Sequence, residues 1–393
     1  MVKKALFSGI SIHRGQFFLI FFLIFNSLTW FFTILYVVRD QPLFWLLPAA
    51  TLISLLIGPL IAEKISRKRF LFSWALVGVI SSLSSMILLS KFGEYGTATS
   101  LILWGFAFGI GFPSCLALMP ILSRVEERGR VGGIIFFITY ATLPLFMLTI
   151  GNLDIVSSLF LLTLWRCFSL ILFLLKVDMG VSLKPVSYSS ILSHRQFLLY
   201  FLPFLVFCII NELERPIFKE SLGVGLWETL GTVEYSVGSF LCLISGWLLD
   251  FKGRRWTVLI GFVTLGLGYA ALGFFPFTST AQAFFILTDS IAWGVFTVTF
   301  GLVIWGDIAS NQRAEKFYGL GSVPSSLALV LAMLSLPLLK TLDVGKAFPL
   351  ASFFLFLAVI PIFFAPELLP EKVVKERELK KYMEEAKKVA GKS

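Results

Sequence analysis

Apolar residues in this chain run in long stretches separated by short clusters of charge, glycine and proline. A hydrocarbon slab about 30 Å thick needs about 20 apolar residues per helix, and the sequence meets that demand near 16–38, 43–62, 70–90, 98–122, 131–151, 155–175, 197–218, 227–249, 257–276, 282–306, 318–339 and 347–365. The pattern predicts an all-α membrane protein with twelve transmembrane helices. The seventh stretch fits worst. Its purely apolar part, Phe197 to Ile210, is about 14 residues or roughly 21 Å at helical rise, followed by Asn211-Glu212-Leu213-Glu214-Arg215-Pro216. Either the helix carries these polar groups through the membrane's outer half, or it breaks at Pro216.

The longest connection lies in the middle and contains Pro185 in a Ser-rich context. It divides the chain into a six-helix bundle at 1–176, a linker at 177–196, a second bundle at 197–366 and a charged tail at 367–393. The halves echo one another. Gln16-Phe17 returns as Gln196-Phe197, Trp104-Gly105 as Trp293-Gly294, and the charged loop at 63–68 as that at 250–255. Matches in order on corresponding spans predict two pseudo-symmetric bundles, an arrangement common in secondary transporters. In the tail, Glu376 with Lys380 and Glu384 with Lys388 favour a solvated helix.

Composition agrees with lipid as the solvent: 57% of the 393 residues are hydrophobic, 14% are charged, and 43 are phenylalanine. The formal charge of +10 would raise nucleic-acid binding in a soluble chain, but the placement of the basic residues excludes it. They gather in the amino terminus, in alternate loops and in the tail, as the positive-inside rule describes. The expectation is a monomer in the cell membrane with both termini cytoplasmic. The start of the chain reads as an uncleaved first span. Cys115, Cys167, Cys208 and Cys242 lie in apolar runs without metal-like spacing, so no disulfide framework, metal or other cofactor is expected.

Gly246-Trp247-Leu248-Leu249-Asp250-Phe251-Lys252-Gly253-Arg254-Arg255 resembles the Gly-x-x-x-Asp-x-x-Gly-Arg-Arg loop signature of the major facilitator superfamily. In the first half Glu63 stands for the acid, Ser66 for the second glycine, and Arg67 follows. Gly105 to Pro113, running into Arg124-Val-Glu-Glu-Arg128-Gly-Arg130, is similar to span 4 and its loop in that superfamily, with Leu101 where an arginine is usual. The resemblance implies two bundles rocking about a midplane site. It makes Glu63, Arg67, Gly246, Asp250, Gly253, Arg254 and Arg255 a cytoplasmic gate, closed when the cavity faces outward.

Charges at membrane depth are costly and mark function by default. Glu234 lies about 24 Å along its helix from Asp250, on a face of small and polar residues. Asp289 lies about 12 Å in from the outer end of span 10, with Phe285, Trp293, Phe296 and Phe300 on its side, a setting that suits a hydrophobic cation. Glu212 and Arg215 have the spacing of an ion pair, either within the site or at the interface. Asn26, with Trp30 and Thr33 one and two turns on, reads either as a substrate contact or as an interhelical hydrogen bond. Arg166, in the middle of span 6, needs a structural partner.

With only His13 and His194, both in loops, proton traffic falls to carboxyls. The sequence predicts a secondary transporter moving a small organic solute by alternating access, as proton-coupled efflux of hydrophobic or cationic compounds. Proton-linked or facilitative uptake of a neutral nutrient is the alternative, and a non-transporting membrane sensor the alternative of another class. No His-Glu-x-x-His or phosphate-binding loop points to an enzyme or an ATP-driven pump.

Overall fold

The computed structural model describes residues 10–174, 179, 183–310, 312–370 and 383. The expected tail helix therefore lies outside the described residues. Among the described residues, twelve long helices follow one another: α1 (Arg14–Val38), α2 (Leu46–Ala62), α3 (Arg67–Lys91), α4 (Gly93–Gly109, continued by Phe112–Leu116 and Leu118–Leu122), α5 (Arg128–Gly151), α6 (Ile155–Ile171), α7 (Arg195–Leu222), α8 (Val224–Phe251), α9 (Arg254–Phe274), α10 (Ser279–Val298), α11 (Glu315–Leu334) and α12 (Val344–Phe364). Among the described residues, eleven spans are long and apolar enough to cross a membrane, and α2 is shorter at 17 residues.

Three elements differ in detail from the hydrophobic pattern. α7 does not break at Pro216 but runs unbroken for 28 residues with Pro203 and Pro216 inside it. A proline forfeits one backbone hydrogen bond, and packing of α11 and α12 along α7 keeps the helix intact. The polar run 211–215 is thus carried on a continuous helix. α4 is interrupted at Ile110 and Gly111, where Trp74 lies so close that a Cβ on Gly111 would sit 2.0 Å from its ring. α10 continues through a π-turn at Thr299–Val303 into Ile304–Ala309.

Helices α1 to α6 pack on one another, as do α7 to α12, and the halves meet where α5 lies on α8 and α2 on α11. The first of these contacts is backbone to backbone. A Cβ on Gly129 would stand 2.4 Å from the Gly246 carbonyl oxygen, and one on Gly133 2.6 Å from that of Cys242, so only glycine permits the approach. The outside of the bundle is itself apolar: Leu148, Phe353 and Ile87 are all exposed. Large apolar residues over the whole outer surface mark it as facing lipid.

Candidate functional site

The loops α2–α3, α4–α5, α8–α9 and α10–α11 lie at one end of the bundle, here called the basic end, and there the halves are latched by charge. Asp250, at the end of α8, accepts from the backbone amides of Gly129 (2.9 Å) and Arg130 (3.0 Å) and from Arg130 Nε (3.0 Å). The first amides of a helix have no partner of their own, and Glu127 at the N-cap of α5 makes no side-chain cap bond. Asp250 therefore caps α5 from the other half of the molecule, with the favourable sign for a helix N-terminus. Beside it Asp307 takes Arg128 Nη1 at 2.6 Å and Arg254 Nε at 2.8 Å, while Arg254 returns to Asp250 at 3.3 Å.

A second set joins α2 and α3 to α11. Glu315 accepts from Arg67 (3.4 Å) and Arg313 (3.1 Å), and Lys316 reaches Glu63 at 2.8 Å. Of the gate residues anticipated from the sequence, Glu63, Arg67 and Asp250 bind directly across the halves. Arg254 works chiefly within its own half and also donates to the Val125 carbonyl of α4–α5. Gly253, at φ 105°, supplies a turn that L-residues resist. It also makes room for Glu367, which accepts from the amides of Arg254 and Arg255 at the start of α9. The Arg255 guanidinium does not join the latch and lies over the Trp256 ring. Asp307, Glu315 and Lys316 were not singled out from sequence. Asp307 falls just past the apolar run, where an acid looks like ordinary loop polarity.

The linker straps the same end. Lys184 pairs with Gln312 as an isolated β-bridge, Lys316 donates to the Val186 carbonyl (2.8 Å), and Tyr188, in a short helix Tyr188–Leu192, donates to the Leu56 carbonyl of α2 at 2.6 Å. Burial, and after it the charge of Glu63, raises the Tyr188 pKa above the usual phenol range. The hydroxyl stays a donor at any physiological pH.

In the first half, Asn26 donates to the Trp165 carbonyl (2.6 Å) and accepts from Arg166 Nη1 (3.0 Å), which also donates to Ser27 Oγ (2.7 Å). The interhelical hydrogen bond is thus the reading this conformation supports for Asn26. Trp30 donates to Ser82, Thr33 bonds back to the Thr29 carbonyl, and all three are fully buried. The partners that sequence left unnamed for Arg166 are Asn26, Ser27 and the faces of Trp30 and Trp74, 5.3 and 4.5 Å from the guanidinium. Gly78 leaves the space its side chain needs, since a Cβ there would lie 2.6 Å from Nε.

Far from the latch, the second half collects its acids. Glu212 and Arg215 form the anticipated pair at 3.2 Å on α7. Glu214, between them in sequence, turns to the opposite side and is buried, at 6% exposure. Asp289 on α10 is 2% exposed. Each keeps one carboxyl oxygen, Oε2 and Oδ1 respectively, without a hydrogen-bond partner. Asp289, Arg215, Glu234 and Glu212 are the charged groups around Glu214. Glu234 on α8 is half-buried and, with Arg215, is a charged group near Asp289. Asn211 is buried on α7 and hydrogen-bonds Glu212, and Trp293 packs edge-on against Phe207 at 5.8 Å. Gly294, turned away from Asp289, admits Leu241 of α8. The cluster holds four carboxyls against one guanidinium. Among the described residues no three His, Cys, Asp or Glu converge as a metal set.

No family model and no curated protein matches the chain. Its fold does match solved structures. The bacterial homologue of the iron transporter ferroportin in its outward-facing state superposes with a TM-score of 0.68 at 16% identity, over 89% of this chain and 99% of that one. The E. coli fucose:proton symporter gives 0.68 at 11% identity over 89% and 98%. The human organic anion transporter MFSD10 gives 0.64 at 12% over 88% and 98%. The chain has the major facilitator fold.

Proposed function

We propose that this protein is a proton-linked transporter of a small organic solute that works by alternating access and exports hydrophobic or cationic compounds. It acts as a monomer in the cell membrane, with the basic end and both termini in the cytoplasm. In that orientation the latched state is outward-facing, with the carboxyl cluster on the open side. The observation that carries the reading is the excess of Glu212, Glu214, Glu234 and Asp289 over the single Arg215 at membrane depth. Desolvated like charges repel strongly, and either protons or a cation relieves them. Exchange of one for the other couples the two flows. Phe207, Phe285 and Trp293, around Asp289, supply the apolar and π surface that a hydrophobic cation requires.

The test is ethidium movement in proteoliposomes with and without an imposed pH gradient, for wild type and Asp289→Asn. Gradient-driven movement in wild type alone is expected. Equal movement in both, indifferent to the gradient, removes the coupling. Uptake of an uncharged sugar along the proton gradient, without any effect on ethidium, replaces efflux by nutrient symport.

A further inference from the structure

α7 and α10 run antiparallel, and ring contacts fix their register. Phe204 stacks on Phe300 at 4.4 Å, Phe207 meets Phe296 at 4.5 Å, and Phe218 stacks on Phe285 at 5.7 Å. Moving along α7 from Phe207 to Phe218 moves the contact back along α10 by the same distance, from Phe296 to Phe285. Two turns from Phe207, this register sets Glu214 opposite Asp289. The two side chains at this level are both buried, and each has an oxygen without a hydrogen-bond partner, Glu214 Oε2 and Asp289 Oδ1. Aromatic layers close the pair on either side, with Phe218 and Phe285 toward one end and Phe207, Phe296 and Trp293 toward the other.

We infer that Glu214 and Asp289 form a carboxyl pair that binds one proton between them, and that this pair is the coupling site. The inference deepens the proton-linked reading above by naming where the proton sits and how many are held. Buried polar atoms without partners are rare, and a single O–H···O bond between the two groups satisfies both orphan oxygens at once. Two carboxylates in one dry site resist being charged together, so the pair holds its first proton tightly and passes through the doubly charged state only when a cation arrives. The other groups facing the pair do not supply that cation. Arg215 is engaged by Glu212 at 3.2 Å, Glu234 of α8 adds negative charge, and α9 contributes Tyr269, whose ring packs edge-on against Phe285. The charges of α11 and α12, Glu315, Lys316 and Lys346, lie at their helix ends. Glu234, half-buried, is left as a relay to the open side.

Dicyclohexylcarbodiimide, which reacts with protonated carboxyls in apolar surroundings, tests this on the full-length protein in detergent, with labelled peptides located by mass spectrometry across pH. Wild type is expected to take one label within the pair, on Glu214 or on Asp289 and never on both in one chain. In Glu214→Gln, Asp289 is expected to stop labelling at a pH lower by about one unit, a tenfold change in proton concentration, because its charged neighbour is gone. Asp289→Asn must act likewise on Glu214, so that misfolding of one variant does not decide the matter. Double labelling of single chains, no labelling of either residue at pH 6, or a profile unmoved in both variants overturns the inference. Ethidium flux that ignores pH while the labelling behaves as described would sink the transport reading and leave the pair standing.

Discussion

Replacing Asp250 by asparagine isolates the latch with little change of shape. The carboxylate accepts two backbone amides and the Arg130 Nε at about hydrogen-bond optimum, with Arg254 at 3.3 Å. Asparagine keeps one accepting oxygen and turns a donating NH2 toward donors. Hydrogen bonds to a charged group contribute about 1.5–3 kcal/mol each. The retained oxygen still accepts in weaker form, and Arg130 stays held by the Glu126 carbonyl and over the Phe251 ring. A net loss of about 2 kcal/mol from the latched state is therefore reasonable, or about thirtyfold in its population relative to the open one. The amides of Gly129 and Arg130 report it directly, because Asp250 is their acceptor and no intrahelical carbonyl replaces it. Hydrogen exchange on a peptide covering 124–134 should accelerate by about thirtyfold in Asp250→Asn, with exchange in α12 unchanged. Unaltered exchange at 129 and 130 would mean that Asp250 does not hold the halves together, and the latch as described would fail.

Other substitutions probe separate parts of the account. Gly246→Val places a side chain where a Cβ is already 2.3 Å from the Gly129 carbonyl oxygen, so it should drive α5 and α8 apart, raising exchange at 129–133 while the melting temperature of the second half holds. Arg166→Ala leaves a void between Trp30 and Trp74 and strands the Asn26 carbonyl oxygen, and a thermal-stability loss of about 2–4 kcal/mol is expected. No measurable loss would show that the guanidinium contributes nothing to packing. At the start of α6, Asp154 accepts from the Ser157 amide, and the Ser157 hydroxyl first and this amide after it lower its pKa below the usual carboxylate value. A depressed folded pKa gives stabilisation that is present above the unfolded pKa and is lost as pH falls through the folded one. Exchange at Ser157 should thus rise only as the solution becomes more acidic than the ordinary aspartate range, and Asp154→Ala should raise it at neutral pH too.

The architecture was legible because lipid demands long apolar helices, and the twelve stretches and the loop signature around Asp250 express that demand without help from tertiary structure. The latch was half legible. Glu63, Arg67 and Asp250 announce themselves by their loop positions, whereas Asp307 and Glu315 matter only because Arg128 and Arg67 arrive from the other half. Glu214 shows the limit most clearly. It stood in plain view between Glu212 and Arg215, but which of those neighbours turns inward depends on whether α7 survives Pro216 and on its register with α10. The ring pairs that set this register join residues far apart in the chain. Asn26 and Arg166 were each noticed separately, and only packing of α1 against α6 makes them one hydrogen-bonded unit.

The central claim is that protons at the carboxyl cluster decide which end of the bundle is open. Spin labels at positions 124 and 252, in a background lacking the four cysteines, report the separation of the α4–α5 and α8–α9 loops by double electron–electron resonance in lipid nanodiscs. The account predicts a short, latched distance at high pH and a growing long-distance population as pH falls, with that response abolished in the Glu214→Gln, Asp289→Asn double variant. A pH response that persists undiminished in the double variant would contradict it.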